Sequence, residues 1–186
     1  MVIALSVLGV ALLFGLWLIS FYNRLVAGRN LVEEAWSGIK VQLKRRHDLI
    51  PSLVNTVKGY AAHEQQTLEK VILARTAAVS AQKEDVQSVM QAENGLSAAL
   101  RKLFALSESY PDLKANENFL HLQKQLASLE DEIQMARRYY NGTARDQNNR
   151  VQQFPGNLVA SRFGFEKTEY FDLENEEEAA VPQVQF

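Results

Sequence analysis

The sequence predicts an all-α protein: an N-terminal transmembrane helix followed by an antiparallel four-helix bundle with an extended C-terminal tail. Three observations lead to this fold. Residues 1–23 carry no charged side chain, apolar residues then recur every three or four positions, and Pro, Gly and aromatic residues become frequent after residue 150. A long apolar run predicts a membrane span, and the period predicts amphipathic helices. We therefore expect a transmembrane helix at 1–22, a helical bundle at 23–150, and an extended strap with an acidic tail at 151–186.

The N-terminal apolar run has the length of a membrane span, since about 20 helical residues cross the roughly 30 Å hydrocarbon layer. A cleaved signal peptide is the alternative. No Lys or Arg precedes the run, however, and large residues stand where cleavage needs small ones. Trp17 and Tyr22 lie at its C-terminal end, where aromatic side chains form an interfacial belt, and Arg24 follows. We expect these three residues to mark the membrane interface.

Charge predicts the orientation of the span and excludes one class of partner. Nothing basic but the amino terminus precedes the span, so the positive-inside rule places the short N-terminus outside and the domain in the cytoplasm. Residues 24–165 hold 19 Lys and Arg against 15 Asp and Glu, whereas residues 166–186 hold one against seven. Such mild basicity is too weak for a nucleic-acid-binding surface, so we expect lipid as a partner and no nucleic acid.

The periodic region predicts four helices at about 24–47, 49–82, 85–107 and 116–149. Asp85 is a candidate N-cap, and the segment around Pro111 is a turn. One coiled-coil-like stripe is spaced three and four residues alternately: Phe119, Leu122, Leu126, Leu129, Ile133, Ala136, Tyr140. A stripe of this kind needs partner helices, and the other three helices provide them.

Pro51 is the difficult position in this assignment. In one uninterrupted helix its ring would clash with the carbonyl of His47 and remove a hydrogen bond. We therefore predict a break with Asp48 as N-cap of the next helix, because a missing N–H has no cost in a first helical turn. The apolar period continues across Pro51, which favours the alternative of an uninterrupted helix.

The segment FPGNLVASRFGF at 154–165 is punctuated by Gly and Pro and is rich in apolar residues. We expect it to form an extended strap whose apolar side chains pack along the bundle: Phe154, Leu158, Val159, Phe163, Phe165.

No constellation in the sequence predicts an active site. His63 and Glu64 begin an HExxH zinc motif, but the second histidine is missing and the chain has only three histidines. There is no cysteine, no nucleophile elbow and no phosphate-binding glycine loop. We therefore expect no metal, no cofactor and no catalytic residue.

Polar residues interrupt the apolar stripes at a few positions. They are Arg46 or His47, His63, Glu64, Arg75, Glu108, Glu130 and Arg137. We interpret them as interior salt bridges that fix helix register, the role best attested for buried ion pairs. The alternative is a polar pocket around His63, Glu64 and Arg137 that binds a small ligand or regulates a membrane protease or signalling system.

Several long phrases of the sequence resemble the LemA family of membrane proteins. They are YNRLVAGRNLVEEAW at 22–36, QLKRRHDLIPSLVNTVKGYAAHE at 42–64, ESYPDLKANENFLHLQKQL at 108–126, ARRYYN at 136–141, FPGNLVASRFGF at 154–165 and YF at 170–171. The resemblance implies a bacterial inner-membrane protein with one transmembrane helix, an outside N-terminus and a cytoplasmic, bromodomain-like four-helix bundle. It implies no catalytic activity. Gln147 departs from the family pattern, which has an apolar or aromatic residue there.

These observations lead to one expected function and one competitor. We expect a non-enzymatic scaffold anchored in the membrane, which forms homo-oligomers or binds other membrane proteins and organises or shapes the membrane. The competitor is the ligand-sensing or regulatory role of the polar pocket described above.

Overall fold

A computed structural model of the chain describes residues 1–171, and these residues form six helices and no strand. The helices are α1 (Val2–Lys58), α2 (Gln65–Ala81), α3 (Val86–Ser107), α4 (Pro111–Lys114), α5 (Glu117–Gln152) and α6 (Gly156–Phe163). The predicted all-α fold with an N-terminal apolar helix is confirmed. The acidic tail predicted beyond residue 171 lies outside the described residues.

Helix α1 runs without a break through Pro51, so the predicted interruption at Asp48 is wrong. Pro51 is exposed, and its ring displaces no core side chain. The carbonyl of His47, which loses its usual N–H partner at position 51, accepts a hydrogen bond of 2.8 Å from Arg75 Nε on α2. Asp48 does not cap a helix; its carboxylate accepts a 2.6 Å hydrogen bond from Lys44 Nζ, which lowers the pKa of Asp48 below its ordinary value. A side chain distant in sequence therefore replaces the bond that proline removes.

Helix α1 ends at Lys58, about two turns after Pro51, and α2 begins at Gln65. A basic residue in the last turn followed by Gly59 is an ordinary helix-end signal. Ala61 within the turn is buried in the same core as Val57 and Leu68, so the apolar period continues where the helix does not.

Side-chain caps begin two of the later helices. Asp85 caps α3 as predicted, because its Oδ1 accepts a 2.7 Å hydrogen bond from the backbone N–H of Ser88, and that bond lowers the pKa of Asp85. Asn116 caps α5 in the same way through the N–H of Phe119, at 3.0 Å. Both caps satisfy backbone donors that have no partner within their own helix.

The chain divides into two compact units. Unit 1 contains Met1–Gln42 and Asp131–Tyr170, and the described part of unit 2 contains Leu43–Glu130 and Phe171. The core of unit 2 receives residues from the end of α1, from α2, α3 and α4, and from the start of α5: Ile50, Leu53, Val54, Val57, Leu68, Val71, Ala78, Leu96, Leu100, Leu103, Leu113, Phe119, Leu122 and Leu126. Helices around one apolar core are the arrangement that the periodic stripes predict.

In unit 1, α1 and α5 pack in antiparallel directions. Gln147 Nε2 donates a 3.2 Å hydrogen bond to the carbonyl of Leu25, and the rings of Trp36 and Tyr140 lie 5.5 Å apart. Gln147 is 3% exposed, so the departure from the family pattern is a buried amide. A Cβ on Gly28 would lie 2.0 Å from Gln147 Oε1, so the glycine provides the space that this amide occupies.

The predicted strap is helical in its first part, which corrects the expectation of an extended segment. Residues Gly156–Phe163 form α6, and Gly164 ends it in the left-handed conformation with φ +71°. Val159 and Phe165 are buried as predicted, whereas Phe154, Leu158 and Phe163 are exposed. A helix has one inward face, so only part of this apolar set can pack inward.

The residues after α6 follow α5 as the strap was expected to do. Asn148 holds Thr168 with two hydrogen bonds, one to its N–H at 2.7 Å and one to its carbonyl at 2.9 Å. The hydroxyl of Tyr140 donates to the carbonyl of Glu169 at 2.9 Å. Two side chains on one face of α5 therefore supply partners for a segment that has no regular secondary structure.

Candidate functional site

A buried polar cluster lies in unit 2, at the junction of α1, α3 and α5. It consists of Arg46, His47, Glu93, Ser97 and Glu130. The first three are 7%, 1% and 2% exposed, while the Glu130 side chain is 41% exposed. The cluster thus has a buried interior and one solvent-facing edge.

Arg46 connects the two carboxylates of the cluster. Its NH1 lies 3.7 Å from Glu93 Oε2 and 3.3 Å from Glu130 Oε2, and its NH2 donates to Ser97 Oγ at 2.8 Å. Removing a guanidinium from water is costly unless charges and acceptors compensate it. The two carboxylates and the hydroxyl provide that compensation.

His47 is held from three directions. Its Nε2 lies 2.6 Å from Glu93 Oε1, its Nδ1 lies 3.5 Å from Gln82 Nε2, and its carbonyl accepts from Arg75. The imidazole therefore has one orientation, and the cluster connects α1, α2 and α3 through this single residue.

The structure separates the polar residues that the sequence singled out. His47, Arg75 and Glu130 come together in or beside the cluster. Glu64 accepts a 3.0 Å hydrogen bond from the Tyr110 hydroxyl, and Glu108 pairs with Lys114. The remaining two are an exposed His63 in unit 2 and Arg137 in unit 1, whose NH1 donates to Gln134. Within residues 1–171, no three His, Asp or Glu side chains are placed to hold a metal ion together.

Glu93 is the residue that the sequence reading missed. It stands in the apolar stripe of α3, four residues after Val89 and three before Leu96. A charged residue at a core position of a regular stripe is a signal for a buried pair, and it was available in the sequence. Its partner was not, because His47 is 46 residues away in the chain.

Of the predicted membrane-interface residues, Tyr22 lies where α1 meets the C-terminal segment of unit 1, and Trp17 contacts neighbouring rings of α1. Trp17 stacks on Phe14 with ring centroids 5.7 Å apart, and Tyr22 makes an edge contact of 5.0 Å with Phe163 on α6. Arg24 is exposed one turn beyond Phe21. The aromatic cluster at this end therefore includes Phe163 of α6 as well as residues of α1.

Tyr140, whose hydroxyl bonds the segment after α6, provides a test of how that segment is packed. Burial raises the pKa of its phenol from 10.0 to about 12. Because the folded state holds the proton more tightly, the stabilisation from the neutral phenol is complete below about pH 10 and is lost as the pH rises toward 12. We expect the free energy of unfolding of the wild type to fall more steeply in this window than that of Tyr140→Phe, which has no phenol to ionise. Equal slopes in denaturant titrations would contradict this expectation.

The exposed apolar segment of α1, followed directly by packed helices, is the feature of a membrane-associated helical protein. One helix of the described chain, α1, is long and apolar enough to cross a membrane, and its 18-residue apolar window has a mean hydropathy of 2.7 with none of it buried. The chain belongs to the LemA family, whose profile matches residues 35–186.

Individual relatives agree with this membership. The chain is 27% identical to magnetosome protein MamQ 2 of Paramagnetospirillum magneticum over 174 residues, covering 81% of this chain and 64% of the relative. It is 29% identical to protein LemA of Metamycoplasma hominis over 140 residues, covering 75% and 64%. Magnetosome protein MamQ of Magnetospirillum gryphiswaldense is 25% identical over 195 residues, covering 92% and 71%. The chain thus spans slightly less than two thirds of the length of the first two of these relatives.

Proposed function

We propose that this protein is a non-enzymatic scaffold, anchored in the bacterial inner membrane with its N-terminus outside, that assembles with itself or with other membrane proteins at the cytoplasmic face. In this role it organises or shapes the membrane. The similarity to proteins named for the magnetosome supports a role at a membrane.

One observation carries the proposal: α1 extends from the apolar segment to Lys58 with no linker between them. Within unit 1, the same helix contains the apolar segment and the residues Leu25 and Trp36, which pack against α5. A flexible joint would leave the packed part of unit 1 free to rotate on its anchor, whereas here it follows the apolar segment directly. Assembly requires that each copy hold its contact surface in a defined orientation relative to its anchor.

The buried polar cluster supports a structural role more than a chemical one. Its interior groups lie against one another, and Arg46 faces two carboxylates and a hydroxyl. A catalytic site needs a group that can reach a substrate. Only Glu130 combines membership of the cluster with substantial exposure.

Cross-linking in native membranes tests assembly. The chain has no cysteine, so single cysteines can report on the span (Leu13→Cys), on α2 (Leu73→Cys) and on α6 (Leu158→Cys), three positions with similar exposure. A thiol-reactive bifunctional reagent is expected to give dimers or a mixed adduct at one or more of them. The cysteine-free wild type is the control. A monomer in all three variants, with no co-purifying partner, would contradict assembly.

A second candidate function is ligand sensing or regulation of a membrane protease or signalling system, and the buried His47–Glu93 contact is the observation that favours it. Replacing Arg46, His47 and Glu93 together by apolar residues of similar volume separates the two functions. A scaffold keeps its fold and its cellular phenotype after such repacking. A sensor that keeps its fold loses its phenotype.

A further inference from the structure

Helix α6 lies against the end of the apolar segment of α1. Val159 and Ala160 of α6 belong to a small core with Leu25, against which Leu18 and Phe21 also pack. A Cβ on Gly156 would lie 2.3 Å from Phe21 Cζ and 2.5 Å from the carbonyl oxygen of Arg150. Only glycine permits this close approach, so Gly156 allows α6 to pack directly on α1.

This position is the point at which a span would leave the bilayer. The hydrocarbon layer takes about 20 helical residues, so a span that begins near residue 2 ends near Tyr22. Leu18 and Phe21 lie within about 6 Å of that end along the helix axis. Because α6 packs on these residues, it lies at the depth of the headgroups.

Three exposed side chains in and just before α6 are large and apolar. Phe154, Leu158 and Phe163 are 79%, 61% and 57% exposed, although Val159 and Ala160 already fill the inward face of α6. Apolar residues left over after packing contribute nothing to a fold in water. They are the composition expected of a helix that lies in a membrane interface.

The charges around α6 match an anionic bilayer surface. No Asp or Glu occurs between Asp146 and Glu166, whereas Arg150 and Arg162 lie in that interval and are exposed. Arg24 is exposed on α1 at the same level, and Arg29 lies over the ring of Phe165 at 5.4 Å. Basic residues flanking an apolar face favour phospholipid headgroups.

We propose that α6 is an interfacial helix and that its exposed Leu158, together with Phe154 just before the helix, inserts into the lipid bilayer beside the point where α1 leaves it. The inference rests on the proposed function, because it requires α1 to cross the membrane. The occupant of the face is lipid, since the face is continuous with the lipid-exposed surface of the span. An interfacial helix inserts its apolar side about 5–10 Å into the boundary of headgroups and acyl chains.

A second attachment to the bilayer restricts how the span can rotate and tilt. A single span can rotate about its own axis and tilt, whereas a span joined to an interfacial helix has one side bound to the surface. Helix α6 therefore sets the rotation of the span and of unit 1 relative to the membrane plane.

Spin labelling of the full-length protein in vesicles tests the insertion. Single cysteines replace Phe154 or Leu158, and the vesicles contain phosphatidylcholine with a minority of phosphatidylglycerol. Met135→Cys is the matched control, because Met135 is 55% exposed in the same unit and lies about 24 Å along α5 from Val151 beside α6. Leu13→Cys reports on the span itself.

The label at Leu158 is expected to collide several-fold less with a water-soluble nickel chelate, and several-fold more with oxygen, than the label at Met135. A Leu158 label as accessible to the chelate as Met135, while Leu13 is protected, would overturn the insertion and leave the anchor intact. A Leu158 label shielded from both the chelate and oxygen would also overturn it, because it would indicate a protein partner. A Leu13 label exposed to the chelate would contradict the anchor and the proposed function together.

Discussion

Replacement of Glu93 by Leu is expected to lower the free energy of unfolding by about 3 kcal/mol, the lower end of the range for breaking a buried ion pair. Arg46 and His47 would both remain buried without this carboxylate. Arg46 keeps Glu130, which holds the cost at the lower end. For a domain whose total stability is about 5–15 kcal/mol, a loss of this size is large. Denaturant unfolding of the full-length protein in detergent, followed by far-ultraviolet circular dichroism, measures it.

Glu130→Leu is the matched control for this substitution. Glu130 lies closer to Arg46 than Glu93 does, at 3.3 Å against 3.7 Å, but its side chain is 41% exposed. Exposed pairs contribute about 0–1 kcal/mol, so the nearer carboxylate is expected to be the less important one. Equal losses for the two variants would show that burial does not decide the energy of this cluster.

Replacing the three buried residues of the cluster together by apolar residues tests whether the loss of stability in Glu93→Leu comes from uncompensated charge. Arg46→Met, His47→Leu and Glu93→Leu together leave no buried charge uncompensated, and such repacking is often neutral or stabilising. We expect the triple variant to regain most of the stability that Glu93→Leu loses. A triple variant less stable than Glu93→Leu alone would contradict this account.

Pro51→Ala is expected to raise the free energy of unfolding by up to about 3 kcal/mol, the difference between proline and alanine inside a helix. Pro51 is exposed, so the change removes no core contact. The new N–H at position 51 can donate to the carbonyl of His47, which now depends on Arg75. Ser52→Ala, at the next exposed position, is the control and is expected to change stability by less than about 0.5 kcal/mol.

A double-mutant cycle with Arg75→Ala tests the compensation directly. In the wild type, this change leaves the carbonyl of His47 with neither an arginine nor a helical donor. In the Pro51→Ala background the helical donor is present, so Arg75→Ala is expected to cost about 1 kcal/mol less. Additive effects would mean that Arg75 does not replace the bond that Pro51 removes.

The sequence by itself determined the all-α fold, the apolar segment, both ends of α3, the end of α2 and the start of α5. Those features depend on local signals: a charge-free run, a three-to-four residue period, the Asp85 cap and the interruption around Pro111, where the structure has the short helix α4 and not only a turn. Local signals act within one or two helical turns, so they can be read from neighbouring residues. The composition of the buried cluster was partly visible for the same reason, since Arg46 or His47, and Glu130, interrupt apolar stripes.

Only the tertiary structure decided three features that the sequence reading missed. Helix α1 continues through Pro51 because Arg75, 28 residues away, supplies the missing donor. Glu93 becomes part of the cluster because α3 places it beside His47. Helix α6 forms where an extended strap was expected, because Val159 and Ala160 find an apolar seat on α1. In each case the deciding partner is distant in sequence, and its contribution exists only after the helices have packed.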